Sequence, residues 1–464
     1  MALIHANVAP RIGVAGTFDV ANFGDLLFPR IFEREVAERL EVAETVPYSP
    51  YGWEHPVPLD GGRYARPLGA WTDQRCDELT SDLDLLAIGG GELIHHRDDV
   101  YAVYYDDDEA TLIQRRPSGF FIDGLGAHRE DRCSVVWHSV GVPFDFDSET
   151  TKRVLRALET KTYVSVRDDL SARRLRATSF DGDIHVVPDS GILMPRLFPD
   201  VLLERRMRWL RSMGWYPAAG RPLVVQGSAW ILQHADGVGD AIGDYLNRWG
   251  HRPVVTLEIG PTHGDGAFAT AIRDRLGRST RVFSVPGTVT QEDIVAAIAG
   301  AEVFVGLSLH GSITALAYGI PSVILDLASY TKLDGFARLA GFTHLRATET
   351  TVLPEMIAGA VAPDHADHIR SVAADFTRRV DQHFDVLVEL ALVSWERRRT
   401  GDPAPLRELA RSLADERAYS SALRRANEAL RQRLLEERLM WTERVDGAKA
   451  AQSGAGSDES PGRA

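Results

Sequence analysis

His310 lies in the run Gly306-Leu307-Ser308-Leu309-His310-Gly311-Ser312, directly after the apolar stretch Val303-Phe304-Val305. The pattern predicts a strand that ends, and a helix that starts, around this histidine. Free backbone amides and the positive end of the helix dipole then favour an anion beside the imidazole. A histidine so placed can give a proton to a substrate or, as a cation, pair with it. The alternative is a histidine packed against backbone, which the glycine on each side disfavours. Ser308, Gly311 and Ser312 border the same position. Lys332, in Ser329-Tyr330-Thr331-Lys332 after the next apolar run, either brings a second cation there or is a solvated surface lysine.

Three more segments end apolar runs with groups that can do chemistry. In Asn22-Phe23-Gly24-Asp25, Gly24 permits a tight turn, Asp25 can cap a helix, and Asn22 can brace the loop or meet a ligand. The spacing is not a dinucleotide fingerprint. In Ile88-Gly89-Gly90-Gly91-Glu92, consecutive glycines either make a plain turn or let backbone amides approach an anion, with Glu92 at the lip. Ser165-Val166-Arg167-Asp168-Asp169 places an arginine at a strand end, where it can clamp a carboxylate or phosphate or pair with the neighbouring acids. Asp189, in Val187-Pro188-Asp189, is a turn-former or an acceptor for a substrate hydroxyl. His95 and His96, followed by Asp98 and Asp99, raise the question of a metal. Adjacent histidines point to different faces and no ligand spacing supports them, so no metal is expected.

The elements that must position these residues alternate. Strands are expected at 11–16, 83–88, 134–140, 162–166 and 184–187, with helices at 25–40, 148–160 and 169–177 between them. The pattern pauses at 195–217 and resumes with strands at 222–226, 253–257, 281–285, 303–305 and 322–325. The fold class is therefore α/β, with two doubly wound Rossmann-like domains, residues 1–200 and 215–365, and a C-terminal helical extension. The cleft between two such units is the natural ligand site. A long helix over 366–400 is expected to pack back on the domains. Leucines at near-heptad spacing over 401–447 predict an amphipathic or coiled-coil helix, able to form a homodimer through 403–445 or to dock on its own domain. The Gly, Ser and acidic residues of 448–464 read as disordered.

The bulk composition excludes several classes. The 464 residues, 44% hydrophobic and 25% charged, make an ordinary globular balance with more than one core. A net charge of −14, with no dense basic run before the C-terminal helix, argues against nucleic acid as a partner. The only cysteines, Cys76 and Cys133, fit a reducing compartment rather than a disulfide framework. No apolar stretch approaches membrane-spanning length and the N-terminus does not read as a signal peptide, so a cytoplasmic location is expected.

Taken in order, Asn-x-Gly-Asp, the triple glycine, Ser-Val-Arg-Asp-x-x-Ser, Val-Pro-Asp, Leu-His-Gly, Gly-Ile-Pro and Tyr-x-Lys resemble the polysaccharide pyruvyltransferase family over about residues 11–345. The resemblance implies a two-lobed, glycosyltransferase-B-like architecture. It also implies transfer of a carboxyvinyl unit from phosphoenolpyruvate to two sugar hydroxyls of a cell-surface glycan or its lipid-linked precursor, with no cofactor. His310 would then be the general acid, Arg167 the clamp for carboxylate or phosphate and Lys332 a further cation. Asp25 or Glu92 would take a hydroxyl proton. The family usually reads Arg-Leu-His where this chain has Ser308-Leu309-His310, which removes a cation from the donor site. A nucleotide-sugar glycosyltransferase of the same architecture and a non-catalytic binding subunit are the competing readings.

Overall fold

The computed structural model describes residues 9–400, except 41–42, 55–56, 58–62, 100, 102–104, 106–110, 112–114, 124–132 and 278–279; of residues 399–400 only the backbone is described. The segments 401–447 and 448–464, with the expected coiled coil and tail, lie outside the described residues.

Two all-parallel sheets carry the chain. The first holds β1 (Arg11–Ala15), β2 (Glu44–Ser49), β3 (Arg66–Pro67), β4 (Leu85–Gly89), β5 (Ser134–Val140), β6 (Tyr163–Val166) and β7 (His185–Val186), in the order β3-β2-β1-β4-β5-β6-β7. The second holds β8 (Leu223–Gln226), β9 (Val254–Leu257), β10 (Val282–Val285), β11 (Val303–Gly306), β12 (Ser322–Leu325) and β13 (Arg346–Ala347), in the order β10-β9-β8-β11-β12-β13. Every residue of β4, β5, β8 and β11 is buried, because helices cover both faces, which is why these strands read as unbroken apolar runs. The strand order reverses between β1 and β4 in one sheet and between β8 and β11 in the other. Loops leaving neighbouring strands part company at such points and open a crevice at the carboxyl ends. Asn22 to Asp25, Gly89 to Glu92 and Ser308 to His310 all follow switch-point strands.

Helix α1 (Phe23–Arg39) leaves the first of these loops, and α2 (Asp169–Arg176) follows β6. Helix α3 (Asp200–Ser212) fills the pause between the two strand series. Helix α4 (Leu309–Ala317) starts at the histidine segment, and α5 (Thr331–Leu339) follows β12. Helix α6 (Pro363–Thr400) then crosses back to the first sheet. Its buried residues Phe376, Val380, Phe384, Leu387 and Ala391 recur at helical spacing and form its inward stripe. Polar contacts fix the register: Arg398 Nη2 donates to Asp84 Oδ2 at 2.8 Å, and the Ser134 and Ser394 hydroxyls lie 2.8 Å apart.

Two polar clusters join α6 to the rest. Arg39 of α1 meets Glu35 at 2.6 Å, Asp381 at 2.9 Å and Asp385 at 2.8 Å, and Arg196 reaches the same Glu35 and Asp381 at 2.7 Å each. The second cluster is a histidine pair, His138 Nδ1 to His383 Nε2 at 2.6 Å, with ring planes nearly parallel. One nitrogen must donate and the other accept, so the two cannot both be cations. Tyr163 Oη lies 3.2 Å from His383 Nδ1. Burial depresses the His138 pKa to about 4, with the Asp189 charge pulling weakly upward. Burial, then repulsion from His138, His185 and Arg39, drives His383 well below its ordinary value. The folded state therefore holds a neutral pair, while the unfolded chain protonates near pH 6.5. Stability from the pair is complete above pH 6.5 and falls as pH drops toward 4. For His138 alone the expected loss by pH 5 is about 2 kcal/mol. Urea unfolding at pH 7.5 and pH 5 measures it. A protein whose acid loss is unchanged when both histidines become phenylalanine contradicts this assignment.

Candidate active site between the two sheets

The last turn of β11 delivers Ser308 as the N-cap of α4, its Oγ accepting from Gly311 N at 3.1 Å. The Ser308 amide in turn donates to Gln226 Oε1 at 2.8 Å, at the end of β8. Gln226 is buried and its Nε2 donates to Asp265 Oδ2 at 3.0 Å, so neighbouring strands lock the start of α4 from below. His310 is thereby aimed at the other sheet. Its ring packs edge-on to Phe28 of α1, centroids 5.2 Å apart, and lies so close over Gly24 that any Cβ there would overlap it. Gly24 is thus the seat of the imidazole as well as a turn residue.

Behind the ring, Asp189 Oδ2 lies 3.4 Å from His310 Nε2. This is charge-pair range but not a well-aligned hydrogen bond, since Nε2 is a buried nitrogen without a hydrogen-bond partner. The Asp189 carboxylate is itself held by Gly191 N at 2.9 Å. Burial alone would raise its pKa, but His310 and then Arg167 keep it below the ordinary carboxylate value. An aspartate anchored in this way sets a fixed negative charge behind the imidazole.

A second set of charges faces this pair. Arg167 Nη2 lies 3.0 Å from Glu92 Oε1, and Lys332 Nζ, from α5, lies 3.4 Å from Glu92 Oε2. Arg167 is 6% exposed and its guanidinium is pressed on Gly141, where a Cβ would stand 2.9 Å from Cζ. Its Nε is 3.5 Å from Asp168, an ion pair whose geometry leaves that N–H without a hydrogen bond. Asp168 caps α2 through Ser171 N at 2.7 Å. Burial opposes ionisation of Glu92, yet Lys332 and then Arg167 hold its pKa below the ordinary value. Arg167, Asp168, Asp189, Leu309 and Lys332 line one small cavity between the sheets.

Asp25 stands on the first-sheet side, bound by Asn22 Nδ2 at 2.7 Å and Thr17 Oγ1 at 3.1 Å. Burial raises its pKa, and the nearby His310, Asn22, Thr17 and Lys332 counter this only in part. A buried carboxylate of raised pKa is a better proton acceptor than an exposed one.

The structure brings His310, Gly24, Asp25, Glu92, Arg167, Asp189 and Lys332 to one crevice. Gly89 and Gly90 pack against His138 and Phe28, whereas Gly91, at φ +128°, opens toward Asp25 Oδ1. Gly311 backs onto Phe304 and Ile259, and Ser312 is fully buried with an unpartnered hydroxyl. His95 stacks on Tyr101, and burial holds its pKa at about 4, so it is a neutral ring in an aromatic nest. Among the described residues no group of three or more His, Cys, Asp or Glu is placed to hold a metal ion. Sequence reasoning missed Gln226, Thr17 and Phe28. The one signal available was Gln226 itself, a polar residue closing an apolar strand run.

A family model described as polysaccharide pyruvyl transferase matches residues 22–329. No curated protein matches the chain. Similar solved structures include a UDP-GlcNAc 2-epimerase from Neisseria meningitidis bound to UDP-GlcNAc, at 11% identity and TM-score 0.48, covering 83% of this chain and all of that one. A UDP-GlcNAc 2-epimerase from Methanocaldococcus jannaschii, at 9% identity and TM-score 0.49, covers 77% of this chain and 94% of its own. A glycosyltransferase from Rickettsia africae, at 10% identity and TM-score 0.49, covers 85% and 100%.

Proposed function

Since the chain belongs to the polysaccharide pyruvyl transferase family, we propose that it moves a carboxyvinyl unit from phosphoenolpyruvate onto two hydroxyls of one sugar in a cell-surface glycan or its precursor. The product is a cyclic pyruvate ketal and inorganic phosphate. The observation that carries the reading is the placement of an Asp189-backed His310 opposite two cations, Arg167 and Lys332.

In this reading Arg167 and Lys332 hold the donor's negative charge. His310, as imidazolium, gives its proton to the vinyl CH2, making the methyl group. The adjacent carbon gains cationic character, and a sugar hydroxyl adds to it while its proton passes to Asp25. The bond from that carbon to the phosphate oxygen breaks, and the second hydroxyl completes the ketal. Asp25 passes the first hydroxyl proton on to His310, restoring the imidazolium, and the second hydroxyl proton leaves with phosphate. Asp189 steadies the cationic imidazole, and Gly24 fixes where its ring points.

The test is thermal stabilisation by millimolar phosphoenolpyruvate, followed by phosphate release and a mass gain on a glycan acceptor. No stabilisation, and no phosphate released with any acceptor, would sink the donor assignment. Ser308 gives a sharper experiment. Because it caps α4, Ser308→Arg is expected to cost about 1 kcal/mol of stability through the lost cap. The same change supplies the arginine that the family usually carries, so phosphoenolpyruvate should bind more tightly, by roughly tenfold. Calorimetry and thermal unfolding read the two effects separately. A variant that binds more weakly would show that the cap outweighs the charge.

A further inference from the structure

Among the described residues Glu92 is the one acidic side chain that touches both cations of the crevice, and its contact with Lys332 runs between the two sheets. Its Oε1 meets Arg167 Nη2 at 3.0 Å, and its Oε2 meets Lys332 Nζ at 3.4 Å. The other acids near Arg167 are fixed: Asp189 is buried and accepts from Gly191 N, and Asp168 is buried, caps α2 and is pressed against Gly335, where a Cβ would stand 2.8 Å from its carboxyl carbon. Glu92 is held differently. It follows two glycines with φ of +89° and +128°, its side chain is about a quarter exposed, and no hydrogen bond from a backbone amide to its carboxylate is present among the described contacts. Asp168 therefore belongs to the scaffold, while Glu92 can exchange.

We propose that Glu92 occupies the place of the donor's carboxylate, which enters by displacing it from between Arg167 and Lys332. This assignment rests on the function proposed above and orients the donor within it. One planar carboxylate replaces another against the same guanidinium and ammonium, so the exchange conserves charge and geometry. The phosphate end of the ligand then points away from that pair, toward His310 and the start of α4, where a helix terminus accepts an anion. The site thereby selects acids. A neutral sugar or an amide in the same position would displace Glu92 without replacing its charge between the two cations, which is costly in a crevice with Arg167 buried. Release of Glu92 also unties the contact it makes between the sheets, so the ligand takes over the bridge.

Glu92→Gln removes the competing charge while keeping the shape. Calorimetric titration of the full-length protein with pyruvate, with inorganic phosphate and with phosphoenolpyruvate separates the arms. The variant is expected to bind pyruvate and phosphoenolpyruvate roughly tenfold more tightly than the parent, the size of one charge-assisted contact, with phosphate affinity within twofold. Arg167→Gln and Lys332→Met should weaken pyruvate binding in either background. Should Glu92→Gln fold poorly, Glu92→Asp keeps the charge but is too short to span both cations, and its gain should be intermediate. Unchanged or weaker pyruvate binding would overturn the assignment, as would a gain for phosphate as large as that for pyruvate. If pyruvate gains affinity while the parent turns over no phosphoenolpyruvate, the carboxylate site stands and only the donor is wrong.

Discussion

Replacing His310 by alanine is expected to lower turnover about 10³-fold while changing donor affinity less than tenfold, the pattern of a lost general acid rather than a lost binding group. The expectation follows from placement. Among the described residues His310 is the imidazole placed between Asp189 and the loop that carries Asp25, and the Arg167–Glu92–Lys332 cluster forms a separate set of contacts. Gly24→Ala probes the same group without touching it. The added Cβ overlaps the ring, so the imidazole must leave Asp189, and turnover should fall as far as in His310→Ala although every ionisable group is intact. Asp189→Asn should have a smaller effect on rate than either, because Asp189 acts through the imidazole. Steady-state phosphate release measures all three. Turnover within tenfold of the parent in His310→Ala would remove the acid role and favour a structural one.

The second large effect is on stability. Arg39→Met is expected to destabilise the protein by roughly 3–5 kcal/mol, the cost of breaking a buried charged network by removing one partner. Arg39 is 7% exposed and Glu35 is 1% exposed, so the methionine leaves Glu35 buried with Arg196 as its remaining partner. Asp381 and Asp385 are nearer solvent and suffer less. The Arg39 guanidinium also lies over the Phe384 ring, 5.5 Å from its centroid, so the change removes that cation–ring contact together with the ion pairs while keeping an unbranched side chain in place. Urea unfolding provides the number. A loss below 1 kcal/mol would mean that the network relaxes around the gap.

Much of this architecture was legible because parallel strands covered on both faces read as plain apolar runs. The runs at 134–140 and 322–325 coincide with β5 and β12, and most others fall within one or two residues of the observed bounds. β2 escaped because Glu44-Thr45-Val46-Pro47 is half polar and contains a proline. The structure tolerates Pro47 because β3 pairs only with Tyr48 and Ser49, so nothing beside Pro47 calls for its missing N–H. β3 and β13 are two residues each and have no periodicity to detect. The crevice was legible as a list of strand-end residues, since the carboxyl ends of parallel strands share one edge. Its pairings were not. Nothing local in the chain says that Glu92 meets both Arg167 and Lys332, or that Gly24 exists in part to clear His310. The Glu92–Lys332 and Gly24–His310 contacts depend on how two sheets face each other, and Gln226 meets the Ser308 amide because β8 and β11 are neighbours in the second sheet.

The return of α6 to the first sheet sets the order in which the chain can be completed. Asp84, Ser134 and His138 belong to the first 140 residues, yet their partners are Arg398, Ser394 and His383. On the ribosome, at about 5–20 residues per second, the first sheet waits roughly 10–40 seconds between finishing β7 and meeting the helix that covers it. During that interval an apolar face stands open to solvent and to chaperones, with the Ser134 hydroxyl and the His138 ring lacking their α6 partners and Asp84 bonded to the Arg11 amide but not yet to Arg398. A nascent chain stalled just short of residue 363 should therefore be cut by protease within the first sheet, and one released after residue 400 should resist. Equal resistance of the two would show that the first sheet closes without its final helix.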